Sequence, residues 1–186
     1  MRNARCLAAV TASLLALVLL VGCGPKSSST SVTGSSTSST AADSEYNGAC
    51  PTNGNSKAFA KTRFTLHAGL ALGAFHRYIY KPLKNGGFKS GADKRKRTFA
   101  KAAVAGVFVV HEIKVANGFA LANPSLCRAT QSIRGTFSTL TSRLRSGTAT
   151  EADVNSAEQA FGSLQQTATQ NGFGFKERNA TVPGAG

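Results

Sequence analysis

Acidic side chains are scarce in this 186-residue chain, where eight Asp and Glu stand against 22 Lys and Arg. Catalysis by paired carboxylates needs two such groups converging on one cleft. Glu112 is the one acid well inside a long apolar segment, and it has no obvious second member. Histidine is equally rare, with three in the chain: His67, His76 and His111. Neither HExxH nor ExxH spacing occurs, which removes the helical zinc and di-iron patterns. No CxxC, CxxCH, GxSxG or glycine-rich phosphate loop is present, so thiol redox, acyl transfer and nucleotide hydrolysis lack their motifs. These absences favour a binding or structural role over catalysis, and no residue pattern requires a cofactor.

Positive charge is in excess. The chain carries a net +14, and removing Arg2 and Arg5 with an N-terminal signal leaves 20 Lys and Arg against 8 acids, a net of +12. Such a balance favours anionic partners: phospholipid headgroups, phosphate-bearing wall polymers or nucleic acid. It equally fits a solvated basic surface lying beside an anionic membrane.

The N-terminus supplies an address. Met1 to Arg5 is a short positive segment, and an apolar run follows from Leu7 to Val21, broken by Thr11 and Ser13. This is the layout of a secretory signal, too short to span a bilayer comfortably as a mature helix. The run ends in Leu20-Val21-Gly22-Cys23, which resembles the lipobox of bacterial lipoproteins. The resemblance implies cleavage before Cys23, diacylglycerol on its sulfur, and residence at the extracytoplasmic face of a cell membrane. Two acyl chains hold a protein stably where one is marginal. Residues 1–22 are then the signal peptide. Residues 23–45 carry the lipidated cysteine and a Ser/Thr-rich stretch too poor in apolar groups to order itself, a flexible tether. Gly24 in place of an acid, with the Ala/Gly/Thr-rich composition, resembles a Gram-positive surface lipoprotein. An exported address makes nucleic acid an unsuitable normal partner.

The cysteines sort by place. Cys6 leaves with the signal and Cys23 takes lipid, so Cys50 and Cys127 remain as an even pair in an oxidising compartment, where a disulfide is expected. Residues 46–186 read as all-α, an up-and-down four-helix bundle. Helix one runs from about Ser56 to Tyr80 and stops at Lys81-Pro82, because proline lacks the amide N–H. A glycine-rich loop covers Leu83 to Ala92. Helix two is expected from Asp93, as N-cap, to Ala122. Asn123-Pro124 opens helix three, which runs to about Arg145 and is closed by Ser146-Gly147. Thr150 to Asp153 resembles a capping box opening helix four, which Gly172 ends. The tail folds back through Phe173 and Phe175 before fraying at Val182-Pro183-Gly184.

Helices three and four each carry one apolar stripe: Leu126, Thr130, Ile133, Phe137, Leu140 and Leu144, then Val154, Ala157, Phe161, Leu164 and Ala168. Helices one and two are apolar on two sides. In helix one Phe64, Ala68, Ala71, Phe75 and Ile79 face one way, while Phe59, Leu66 and Leu70 face nearly opposite. In helix two Val104, Phe108, Val115 and Phe119 lie away from Phe99, Ala103, Gly106, Val110 and Ile113. Such helices are buried as a central hairpin or covered by an acyl chain, a membrane or a second copy. Gly69 and Gly73 would permit close helix approach. Ala102 to Ala122 has the length of a span, but Glu112 and Lys114 near its middle each cost about 2.5–3.5 kcal/mol in a bilayer.

Two groups of residues could carry chemistry. One of His67 and His76 could meet His111 and Glu112 across a helix pair, a weak metal or bis-histidine haem site; the alternative is histidines hydrogen-bonded in or near the core. The basic group comprises Arg63, His67, Arg77 and Lys81 along helix one, with Lys94, Arg95, Lys96, Arg97 and Lys101 opening helix two. Cations in a helix's first turns oppose its dipole, which is tolerated on a solvated face or marks a site for phosphate or another anion. The expected function is a membrane-anchored lipoprotein with a non-enzymatic basic domain for an anionic lipid, a wall polymer or a protein partner. A haem- or metal-binding bundle is the alternative. Metabolic labelling with a palmitate analogue should mark the chain, and Cys23→Ser should lose the label and keep the signal mass; a labelled Cys23→Ser chain would contradict the anchor.

Overall fold

Every element in residues 49, 50, 52, 57–121 and 123–186, the part that the computed structural model describes, is helical or irregular. The signal, Cys23 and the Ser/Thr stretch lie outside these residues, as do Ser56 and Ala122 at two expected helix ends. Helix α1 spans Ala60–Phe75, continues through a π-helical turn at His76–Tyr80, and ends in an α-helical turn at Lys81–Lys84. Helices α2 (Arg95–Ala120), α3 (Pro124–Ser146) and α4 (Glu151–Gln170) follow. No strand occurs among the described residues, so the domain is all-α, a helical bundle.

Local chemistry accounts for the last two helices. Asn123 Oδ1 accepts from the Leu126 N–H at 3.0 Å, with Pro124 in the first turn where no amide is needed. Gly147 closes α3 at φ 71°, a left-handed position that glycine adopts without a Cβ penalty. Thr150 and Asp153 form a reciprocal capping box: Asp153 Oδ2 accepts from the Thr150 N–H at 2.8 Å, and Thr150 Oγ1 accepts from the Asp153 N–H at 3.3 Å. Both predicted stripes are buried throughout.

The first two helices depart from expectation at their ends. Pro82 does not stop α1. The Lys81 N–H reaches back five residues to the His76 carbonyl, and the chain makes one more turn to Lys84. Widening to a π turn relieves the crowding between a proline ring and the carbonyl four residues back. Asp93 is not the N-cap of α2. Lys94 holds that position at φ 61° without a side-chain cap, and α2 starts at Arg95. Packing sets this start: Arg95 Nε donates to the Phe88 carbonyl at 3.1 Å, and the Phe88 and Phe99 rings lie 4.7 Å apart. The loop is thereby pinned to α2, which overrides the capping preference.

Helix α2 packs against both α1 and α3, and α4 packs on α3 and reaches the π turn. Phe75, Phe137 and Phe161 meet from α1, α3 and α4 with ring centroids 4.9–5.6 Å apart. Gly106 lets α2 come close to α3; a Cβ there would stand 2.7 Å from Thr141 Oγ1. No helix among the described residues is long and apolar enough to cross a membrane. Cys50 and Cys127 are disulfide-bonded across 77 residues, tying the segment ahead of α1 to the first turn of α3. Closing so long a loop stabilises the fold by about 4 kcal/mol in the chain-entropy model.

The glycine side of α1 is covered by the chain itself, whereas Phe59 and Leu66, from its second apolar side, stay exposed. Residues 173–186 return as an irregular strap along the glycine side. Phe173 and Phe175 set their rings edge-on to Phe64 at 5.7 and 5.9 Å. The Arg178 N–H donates to the Gly69 carbonyl at 3.0 Å. A Cβ on Gly69 would lie 2.6 Å from the Lys176 carbonyl oxygen, and one on Gly73 would lie 1.8 Å from that of Arg178. The glycine pair therefore seats an extended backbone rather than a second helix. The strap does not fray at its end either: Val182 donates its N–H to the Tyr78 hydroxyl at 3.4 Å, and Val182 and Ala185 are buried. Gly73→Ala should displace the strap and cost about 1–3 kcal/mol. Gly135→Ala, at an exposed helical position with open space around it, should gain about 0.5–1 kcal/mol. Chemical denaturation of the two variants checks both signs.

Candidate functional site

The three histidines are held apart. His67, on α1, donates from Nδ1 to Glu112 Oε2 on α2 at 2.7 Å, and Glu112 is buried. The His67 ring stacks on Phe119 at 6.1 Å, and the Arg63 guanidinium lies over the same ring at 5.5 Å. His76 sits between two other helical and strap carboxylates, with Nε2 2.9 Å from Glu158 and Nδ1 2.9 Å from Glu177. Both ring nitrogens facing carboxylate oxygens is a pattern that the doubly protonated imidazolium satisfies. His111 is exposed on α2, next to Glu112 in sequence but not part of its hydrogen bond. Of the expected cluster, His67 and Glu112 meet across a helix pair and His111 does not join them. Among the described residues no group of three or more His, Cys, Asp or Glu is arranged to hold a metal ion.

The basic residues divide. Arg77, from the π turn, and Lys101, from α2, line one depression of about 350 Å³ together with Tyr78 and Thr98. Arg95 and Lys96 line a second, of about 240 Å³, where Arg145 joins them from the end of α3. Lys94, Lys96 and Arg97 are exposed. Arg95 differs from its neighbours: besides its bond to Phe88 it reaches the Gly147 carbonyl at 3.5 Å and covers the Phe99 ring at 4.7 Å. Its guanidinium is committed to joining the loop, α2 and the end of α3. Arg63 stands 14 residues before Arg77, about 20 Å away along the helix, so the helix-one strip is not one site.

Ion pairs neutralise part of this end. Lys84 faces Glu151 at 3.5 Å, and Arg143 pairs with Asp153. Burial opposes ionisation of Asp153, yet its bonds to the Thr150 N–H and hydroxyl and the Arg143 guanidinium outweigh that and hold its carboxyl below the ordinary value. Arg143 and Arg145 carried no sequence signal as site residues, because cations in a helix's last turn suit its dipole and read as ordinary termini. Glu158 and Glu177 likewise had none, since their partner His76 lies 82 and 101 residues away. No protein-family model, curated protein or solved structure matches the chain.

A carboxyl group lowered in the folded state contributes stability that is fully present above its unfolded value and lost as pH falls through the folded one. Unfolding free energies of the native chain and of Asp153→Asn should therefore differ at neutral pH and converge as pH drops below about 4. A gap that stays constant to low pH would show that Asp153 acts through shape alone.

Proposed function

We propose that this chain is an exported lipoprotein, lipidated at Cys23 and held at the extracytoplasmic face of the cell membrane by the tether of residues 24–45. Its domain, read as an up-and-down four-helix bundle from residue 46 onward, is a non-enzymatic module that binds an anionic component of the envelope. One observation carries this reading. Segments 77–101 and 143–153, which meet at one end of the bundle, hold eleven Lys and Arg against three acids, and two of those acids are already paired.

Elementary electrostatics supports the reading further. Clustered cations on a small surface repel one another and raise the local concentration of anions. A fold that keeps them together at one end, three of them in the first turn of a helix whose dipole opposes them, gains when an anion arrives. Elsewhere on α1 the positively charged or titratable groups are engaged: Arg63 lies over Phe119, and His67 and His76 face carboxylates. Tethering beside anionic headgroups raises the effective concentration of any such ligand, so modest intrinsic affinity suffices.

The chain from Gly24 to Gly186, which retains every described residue, should co-sediment with vesicles containing phosphatidylglycerol and not with neutral ones. The binding constant should fall with rising salt. Reversing Lys94, Lys96, Arg97 and Lys101 to Glu should abolish it, whereas Arg63→Glu should leave it nearly unchanged. Binding that survives the fourfold reversal would sink the basic-end reading.

A further inference from the structure

We infer that the seam between α2 and α3 seats an anionic lipid, its phosphate at the basic end and an acyl chain along the helices. This rests on the anionic-partner reading above and deepens it by naming the chemical class of the partner and the surface that takes it.

Two depressions of about 240 and 250 Å³ lie along this seam and meet at Arg145, which lines both. The first presents Lys96 and Arg145, neither of which pairs with a carboxylate among the described residues. Beyond Arg145 the α2 side turns apolar through Ala103, Val107 and Val110. Val107 is 43% exposed, a large apolar side chain left open to water. The α3 side offers Thr141 and Ser142, but their hydroxyls already donate to the Phe137 and Ser138 carbonyls at 2.7 and 3.1 Å. A hydrocarbon laid against them strips no donor of its partner.

The order of these features selects the occupant. From Lys96 to Val110 is 14 residues, about 20 Å of helix. Over that length the groove changes from cationic to apolar once, in one direction. A free phosphate would use only the head and leave the floor wet. In the second depression a polyanion would meet no charge besides Arg145. A neutral lipid would leave Lys96 and Arg145 unanswered and the first turn of α2 still opposed to its own dipole. An anionic amphiphile answers both halves, and burying its methylenes on Val107 and Val110 adds to affinity in proportion to the area covered.

Native mass spectrometry of the full mature lipoprotein, released from a neutral detergent, tests this with three probes: dioctanoyl phosphatidic acid, dioctanoyl phosphatidylcholine and inorganic phosphate. One phosphatidic acid per chain is expected, bound at least about tenfold more tightly than either other probe, a gap of roughly 1.4 kcal/mol. Lys96→Gln with Arg145→Gln should erase that preference, and Val107→Asp should reduce phosphatidic acid to the level of phosphate. Arg63→Gln, outside both depressions, should change little. Phosphatidic acid bound no better than phosphate, or lost equally in Arg63→Gln, overturns the groove while leaving the basic end intact. Absence of every anionic probe from the native chain overturns both.

Discussion

Two missing side chains organise this domain. Gly69 and Gly73 present bare backbone on the side of α1 that faces away from the aromatic core, and the strap lies directly on it, close enough that a Cβ at Gly73 would stand 1.8 Å from the Arg178 carbonyl oxygen. The strap's other contacts follow from that seat. Phe173 and Phe175 close over Phe64, Glu177 reaches His76, and Val182 reaches Tyr78. A helix apolar on two sides ordinarily needs a second layer of helices or a partner. Here three other helices pack on one side of α1 and fourteen residues of irregular chain on its glycine side, while Phe59 and Leu66 stay exposed.

That packing decides what the surface has left to offer. The exposed large apolar groups among the described residues are then Phe59 and Leu66 at the start of α1, and Val104 and Val107 on α2. The two valines lie beyond the cationic end built from the close of α1, the start of α2 and the close of α3. Charge and apolar surface are thus adjacent but separate, as an amphiphile requires. On the proposed reading the tether adds proximity rather than contacts, because a domain held beside a membrane meets headgroups at high effective concentration.

Legibility in the sequence followed the range of the interactions. The stripes of α3 and α4 were readable residue by residue, and so were the Asn123 and Thr150 caps, because each depends on neighbours within a turn or two. The Cys50–Cys127 bond was readable as the even pair left once Cys6 and Cys23 are assigned to the expected signal and lipid site. Pro82 misled because its local penalty is absorbed by a π turn, and Asp93 misled because Arg95 and Phe88 anchor the loop through contacts that no capping rule contains. Gly69 and Gly73 were visible as small residues, but nothing near them in sequence says that the occupant is a strap about a hundred residues later. The basic residues were all visible too. Which of them share a surface was not, since Arg63 and Arg77 look alike on a helical wheel while Arg145 joins Lys96 only through the packing of α3 on α2.

The strap's seat is directly measurable by amide hydrogen exchange, because the Arg178 N–H is bonded to the Gly69 carbonyl and is reached by solvent only when the strap lifts. The account predicts that the amides of Arg178 and Val182 exchange slowly, at rates approaching those of the buried turns of α1 around Ala71 and Leu72. Exchange of both amides at the rate of an unstructured peptide, with α1 still protected, would contradict it.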